Sequence, residues 1–453
     1  MCSLVQKYNV PGPRYTSYPT VPFWDISTFS GKKWEETVKK SFHLSNSSTG
    51  ISLYIHLPFC ESMCTFCGCH KRITKRHDLE LPYIKSVLKE WGLYRNLFDE
   101  KPIIKELHLG GGTPTFFTPE NLKFLIEGIL RIATKAEDAE FSFEGHPNNT
   151  TKEHLQALYD VGFRRVSFGV QDYNETVQKA INRIQPFENV KNVTEWSREI
   201  GYDSISHDII FGLPHQKLEH VINTIEKTKE LKPDRIAFYS YAHVPWLAGN
   251  GQRGYNDADL PAGEEKRTQY EVGKELLLEY GYHEIGMDHF ALESDSLFKA
   301  MENGTLHRNF MGYTSSNTHL MVGLGASSIS DSWYGFAQNV KNVEEYQNLV
   351  ANDIIPLYRG HILTEEDQII RRHILNLMCQ FQTSWSVFKL HLPQLDSILN
   401  RLKELERDGI VVITEGNLRI TEKGRPFVRN VCMAFDLPLQ DKSPNTKLFS
   451  MTV

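Results

Sequence analysis

Long apolar runs are missing from this chain. Nowhere do roughly 18 apolar residues follow one another, the length a bilayer-spanning helix needs, so no membrane span is expected. The opening MCSLVQKYNV has no apolar core of the kind a signal peptide carries. An excess of basic charge is missing too. Fifty lysines and arginines stand against 56 aspartates and glutamates, for a formal charge of −6. That balance argues against broad binding to nucleic acid or an anionic membrane, and an anionic substrate would need a local basic pocket. Cysteine is scarce, at seven. An odd, clustered set is no disulfide framework, and the expected setting is the reduced cytoplasm. Cys2, Cys379 and Cys432 lie far from the cluster and read as packing or surface thiols. No internal repeat stands out, and no Ser-His-Asp or Cys-His arrangement suggests a protein nucleophile.

At 453 residues the chain is longer than one average domain, so two or three units are expected, one of them a barrel of roughly 200 residues or more. Residues 1–50 hold GPRYTSYPT, rich in turn formers, and a SNSSTG linker. They read as an irregular N-terminal segment closing over an active site. From 51 onward strand and helix patterns alternate. GISLYIHL, IKELHL, AEFSFE, RRVSFGV, SISHDIIF and RIAFYSY read as strands. ELPYIKSVLKEWGLYRNLF, TKEHLQALYD and KLEHVINTIEKTKELK read as helices between them, and Thr118 can cap another with Pro119 in its first turn. About six such units predict an α/β fold with a parallel sheet covered by helices. YHEIGMDHF either adds a strand or leaves the barrel. After about 345 two helical stretches and the hairpin IVVITEGNLRITEKG resemble a winged helix. The expected division is therefore 1–50, a barrel over 51–345, and a mainly helical, winged-helix-like domain over 346–453. The last is not strongly basic, and reads as a lid or packing module rather than a DNA reader.

Parallel α/β proteins carry their chemistry in loops at the C-terminal ends of strands, and the unusual residues fall there. Cysteines follow the first strand, GGGTP the second, and Glu144 ends the third. Gln171 and Asp172 follow the fourth, Asp208 lies within the fifth, and Tyr241, Ala242 and His243 close the sixth.

The stretch FCESMCTFCGC places four cysteines within ten residues, at gaps of three, two and one. Structural zinc usually takes two C-x2-C knuckles well apart, an arrangement this spacing does not offer. A disulfide pair is a second reading. A third is a [4Fe–4S] cluster held by Cys60, Cys64 and Cys67 alone, with Cys69 pointing away and one iron left open for a small chelating molecule.

C-x3-C-x2-C after a first barrel strand resembles the signature of radical S-adenosylmethionine enzymes. With the extra Cys69, and with GPRYTSYPT, HLGGGTPT, GVQDYN, GLP, YAHVP, MDHF, LHRNFMGYT and RNVCMAFD, the chain resembles the oxygen-independent coproporphyrinogen III oxidase family nearly end to end. The resemblance implies a partial (β/α)6-type radical S-adenosylmethionine barrel, one [4Fe–4S] cluster with three Cys ligands, and two S-adenosylmethionine molecules. Tyr54, Gly111, Glu144 and Ile329 match positions around the cluster-bound molecule. Phe66, Gly112, Thr113, Gln171, Arg183, Asp208 and Ala242 match positions around the second. The implied reaction converts two propionates of coproporphyrinogen III to vinyl groups through a 5′-deoxyadenosyl radical, giving protoporphyrinogen IX in haem biosynthesis. A haem-modifying or haem-trafficking relative is the alternative. The electron would come from a flavodoxin or ferredoxin, and the chain would act as a monomer without nucleic acid.

Four propionates need cationic partners. Arg14, the HKRITKRH run at 70–77, and His307 with Arg308 are the local supply. Arg308, beside aromatic residues and glycine, is the expected substrate anchor, and with Tyr54 it forms the expected catalytic pair. His56 is open between a core histidine, a cluster neighbour and a proton relay. Glu144-Gly145-His146-Pro147 stands where an E-x-D-P pattern would be expected. The GLGASS run, Gly323 to Ser328, has a dinucleotide look, but no βαβ unit follows it.

Overall fold

The computed structural model describes residues 2–246, 251–252, 254–386, 392–442 and 448–452. Six parallel strands form its centre: β1 (Ile51–Leu57), β2 (Ile103–Gly111), β3 (Thr134–Gly145), β4 (Arg165–Gln171), β5 (Ser204–Phe211) and β6 (Arg235–Ser240). Their apolar residues, among them Ile51, Leu53, Leu107, Phe143, Val166 and Ile205, are buried beneath the helices, while the first half of β3 stays partly exposed. Helices such as Glu80–Arg95, Pro119–Arg131, Lys152–Asp160 and Leu218–Leu231 return the chain between them. Thr118 caps its helix as expected, accepting a hydrogen bond from the Asn121 N–H.

The sheet runs on at both ends. YHEIGMDHF forms β7 (His283–Glu284) and β8 (His289–Ala291), in which β8 runs antiparallel to β6 and β7 antiparallel to β8 at the sheet edge. At the other edge β9 (Met321–Leu324) pairs with β1 as a seventh parallel strand. β10 (Ile329–Asp331), β11 (Gly335–Asn339) and β12 (Leu357–Ile362) follow it antiparallel. The order is β12-β11-β10-β9-β1-β2-β3-β4-β5-β6-β8-β7. GLGASS is thus the end of β9 and its turn into β10, with Gly325 at φ +96°. A Cβ on Gly323 would stand 2.4 Å from the carbonyl oxygen of Ile329, so two main chains meet there.

Two expectations need correction. The sheet does not end near 345. β12 pairs with β11, and the helix Val343–Ala351 packs on Glu80–Arg95, so the barrel unit keeps the chain to Ile362. Nor are residues 1–50 irregular throughout, since they hold the helices Cys2–Tyr8 and Gly31–Ser45. Ser30 caps the second, and Trp34, Val38 and Phe42, four apart, bury one face of it. The turn formers between the two helices obscured both.

Beyond Ile362, the helices Glu365–Gln380 and Leu395–Arg407 pack with a three-stranded antiparallel sheet of Gln382–Ser384, Asn417–Ile420 and Val411–Thr414. Its hairpin turns at Glu415–Gly416, with Gly416 at φ +79°. This is the winged-helix-like module the sequence suggests. Its core, in which Cys379 and Cys432 are buried, is shared with Ile285, Leu297 and Tyr313 of the barrel unit and with Tyr15 and Tyr18 of GPRYTSYPT. No described helix is long and apolar enough to cross a membrane.

Candidate functional site

Along the parallel strands alternate residues face the sheet's concave side, and they are polar where a core strand would be aliphatic. Glu106 and His108, Arg165 and Ser167, Ser206 and Asp208, and Arg235 and Tyr239 all line one lumen. The period of two is what a strand imposes. Deep in this lumen Glu140 pairs with Arg165 at 2.8 Å and lies 3.6 Å from Arg235, which pairs with Asp295 at 2.6 Å. This part is charge-balanced and structural.

At the strand ends the lumen widens into a cavity of about 1110 Å³, its mouth included. Cys60, Cys64, Cys67 and Cys69 line it, with Phe66, Gly111, Gly112, Thr113, Glu144, Gln171 and Arg183. The cysteine loop is held by main-chain bonds. Thr113 N–H donates to the Phe59 carbonyl at 3.0 Å, Gly112 N–H to Leu57 at 2.8 Å, and Thr65 N–H to Ile181 at 3.0 Å. A Cβ on Gly112 would meet the Pro58 carbonyl carbon at 2.6 Å, so only glycine lets the second-strand loop approach this closely. Gly111, at φ +112°, sits over the His56 ring.

The thiols are in a polar setting. Thr113 Oγ1 donates to Cys60 Sγ at 3.3 Å, and Arg183 lies 3.7 Å from Cys64 Sγ. Burial pushes Cys60 up to about 11. Hydrogen bonding from Cys69 pulls Cys67 below the ordinary thiol value against its burial, with Lys71 and Arg183 assisting. Lys71 donates to the carbonyls of Cys67 and Cys69, each at 3.2 Å. Among the described residues no three ligating side chains surround a single ion. Cys69 does not point away as expected but lines the same cavity beside Cys67, and four thiols with Lys71, Arg183 and the glycine run in one cavity suit a larger anionic cofactor.

Other expected residues converge here. Glu144 borders both the thiol cavity and the lumen. Burial raises its carboxyl, but His108, 3.5 Å away, and the Gly111 N–H outweigh that and hold it below the usual range. Tyr54 stacks on His108, with ring centroids 6.2 Å apart, and its hydroxyl meets His56 Nδ1 at 3.1 Å. Burial pushes His56 down to about 4, leaving it neutral between Tyr54 and the carbonyl of His70. Gln171 takes φ +66° at a bulge in β4. Arg183 donates to the Gly169 carbonyl at 2.7 Å, while its Nε is buried without a partner. Burial pushes Asp208 up to about 7 despite a 2.9 Å hydrogen bond from Ser167. Ala242 and Phe66 are joined through Gln252, which donates to their carbonyls at 3.0 and 3.3 Å.

Three expectations fare differently. Ile329 does not line the cavity. It reaches the site only by its main chain against Gly323, the register partner of Tyr54. HKRITKRH is mostly surface: Arg72 pairs with Glu344 and Arg76 with Asp78, and only Lys71 turns inward. Arg308 is 4% exposed and stacks on Tyr313 at 4.5 Å. Its Nε and one terminal nitrogen have no partner. Two residues given no role by the sequence also stand in the site. His108, quoted in HLGGGTPT, was open to detection as the inward residue two before Gly110. His146, the departure after Glu144, lines the cavity near Arg183, where burial pushes it down to about 3.

Comparison with known proteins places this geometry. The radical SAM superfamily profile matches residues 54–228, and that of the HemN C-terminal domain residues 363–427. An oxygen-independent coproporphyrinogen III oxidase of Synechocystis sp. is 38% identical, covering 99% of this chain and 97% of that protein. One of Escherichia coli (strain K12) is 36% identical, covering 97% and 96%. The solved structure of coproporphyrinogen III oxidase (HemN) from Escherichia coli, described as a radical SAM enzyme, superposes with a TM-score of 0.88. It is 34% identical and covers 96% of this chain and 98% of its own.

Proposed function

The chain belongs to the oxygen-independent coproporphyrinogen III oxidase family of the radical S-adenosylmethionine superfamily, and on that premise we propose that its cavity oxidatively decarboxylates two propionates of coproporphyrinogen III. The product is protoporphyrinogen IX, a step of haem biosynthesis. The family implies a [4Fe–4S] cluster and S-adenosylmethionine, which when bound supply hydrogen-atom removal from an unactivated carbon. One observation carries the reading: Cys60, Cys64 and Cys67 share a cavity with Gly111, Gly112 and Glu144, in a chain alike to the oxidases over nearly its whole length. That likeness favours decarboxylation over haem modification or trafficking.

Within it, Cys60, Cys64 and Cys67 are the cluster ligands and Cys69 is not. Two molecules of S-adenosylmethionine occupy the cavity. Tyr54, Gly111, Glu144 and the main chain near Ile329 hold the first. Supporting this, the ionised Glu144 carboxylate is placed to accept from an amino group or a ribose hydroxyl. Phe66, Gly112, Thr113, Gln171, Arg183, Asp208 and Ala242 hold the second. The unpartnered Arg183 Nε is a donor for its carboxylate. Arg308, a buried cation with unpartnered nitrogens, anchors a propionate. The N-terminal segment and the C-terminal module close the mouth. An external flavodoxin or ferredoxin supplies the electron. A monomer is the working unit of this reading.

The test is anaerobic reconstitution followed by turnover, expecting two CO2 per protoporphyrinogen IX and an electron paramagnetic resonance signal that shifts on adding S-adenosylmethionine. Absence of CO2 with cluster and cofactor intact defeats the reading.

A further inference from the structure

A second cavity, about 660 Å³ with its mouth included, lies where β6, the helix Gly263–Glu279 and the helix Val428–Phe435 come together. Phe211 and Ser240, the last residues of β5 and β6, line it, which puts it at the same end of the sheet as the cysteine loop. Its wall is cationic: Arg14, Lys266, Arg267, Arg425 and Arg429 face only Glu284 and Asp288. Three of these cations are already answered. Arg14 pairs with Asp288 at 2.6 Å, Arg425 with Glu422 at 2.9 Å, and Arg267 with Glu271.

Lys266 and Arg429 are not. Lys266 Nζ donates to the Tyr241 carbonyl at 2.8 Å. Arg429 donates to the carbonyls of Pro13 at 2.9 Å, Met451 at 2.8 Å, and Gly12. Carbonyls hold a cation in place but bring no opposite charge, and among the described residues no carboxylate pairs with either. Burial, then repulsion from Arg14, pushes Lys266 down to about 8 and Arg429 to about 9. Removing ions from water without a counter-charge is strongly unfavourable. Two neighbouring cations held in this way are poised for an anion.

We propose that this cavity is a carboxylate-binding site in which Lys266 and Arg429 take a propionate of coproporphyrinogen III that survives the reaction. The assignment rests on the reaction proposed above. Two of the four side arms keep their carboxylates, are anionic in substrate and product alike, and need cations apart from the reacting centre. Phe211, Phe238 and Met287 suit the hydrocarbon part of such an arm. Arg14, Asp288 and Tyr239 stand between the cavity and the lumen: Arg14 lies over the Tyr239 ring at 5.8 Å, and Asp288 accepts from His289, which with Tyr239 faces the lumen.

The experiment uses reconstituted holoenzyme carrying Lys266→Met or Lys266→Arg, with iron content and melting temperature as controls on folding. Lys266→Met is expected to raise KM for coproporphyrinogen III at least tenfold with kcat changed less than threefold. Lys266→Arg restores KM to within threefold, which a merely structural lysine would not require. In fluorescence titrations the parent enzyme prefers the tetra-acid coproporphyrin III to its tetramethyl ester, and Lys266→Met loses at least tenfold of that preference. Unchanged KM and preference in a variant whose parent turns over normally overturn the inference and leave the reaction standing. A parent that releases no CO2 overturns the reaction instead, and the acid-over-ester preference then decides the cavity alone. Should Lys266→Met weaken calorimetric binding of free propionate without moving KM, the cavity serves a free acid and the substrate assignment is overturned.

Discussion

Gly112→Ala tests whether the cysteine loop is positioned by contact between main chains. The added Cβ would sit 2.6, 2.7 and 2.8 Å from Pro58 C, Pro58 O and Phe59 O. No side chain is available to swing aside. Restoring an ordinary 3.4 Å contact needs a separation of about 0.8 Å between the glycine loop and the root of the cysteine loop. The same movement stretches the Gly112 N–H bond to Leu57 and the Thr113 N–H bond to Phe59, now 2.8 and 3.0 Å. Overpacking of this kind costs about 1–3 kcal/mol, a few degrees of melting temperature in a chain of this size. A misplacement near 1 Å costs on the order of 10²-fold in rate. The variant is therefore expected to fold, melt a few degrees lower, bind iron and sulfide poorly, and lose at least tenfold in turnover. The assay pairs calorimetry with iron and sulfide analysis and anaerobic turnover. Wild-type turnover in a well-loaded Gly112→Ala enzyme would refute the reasoning, because it would show the loop can be moved without consequence.

Cys64→Ser is expected to lose iron, sulfide and turnover together, whereas Cys69→Ser keeps iron and sulfide. Metal analysis of both decides the ligand set, and iron loss in Cys69→Ser overturns it. Arg308→Met removes a buried cation with unpartnered nitrogens. It is expected to raise KM for coproporphyrinogen III by roughly tenfold or more, since truncating one partner of a buried charge pair costs about 2–5 kcal/mol, and an unchanged KM removes Arg308 from the substrate site. Asp208 has its folded pKa raised by burial from 3.8 to about 7. The folded state binds this proton more tightly than the unfolded one, so stability from this group is present at low pH and falls as pH rises through that window. Asp208→Asn should then raise the melting temperature of cofactor-free protein more at pH 8 than at pH 5, and an equal effect at both would show that Asp208 is not buried as described.

The rim of the barrel was legible because polar and glycine residues follow apolar runs near the strands' C-terminal ends. Glu144, Gln171 and Asp208 each break such a run at or near a strand's C-terminal end, and they meet in one cavity wall. What the sequence hid was non-local or short. β9 has four residues, and its partner β1 lies far earlier in the chain, so no local pattern announced a seventh parallel strand. The helix Gly31–Ser45 carries an amphipathic signal, but a neighbouring cluster of turn formers drew the reading toward loop. His146 was noticed only as a departure, since its neutrality depends on burial and on Arg183 approaching from another strand's loop. Ile329 was placed by resemblance alone, and in the structure it meets Gly323 through its main chain and lies outside the thiol cavity's lining.

The pairing of β1 between β2 and β9 sets a timetable. As the ribosome emits the chain at roughly 5–20 residues per second, β9 appears about 270 residues after β1, roughly 15–50 s later by that pace. During that interval the strand from which the thiol loop hangs has one neighbour instead of two. Contacts so distant along the chain also slow folding. A cell synthesising this protein in air leaves Cys60, Cys64, Cys67 and Cys69 without their finished scaffold for as long as the wait lasts.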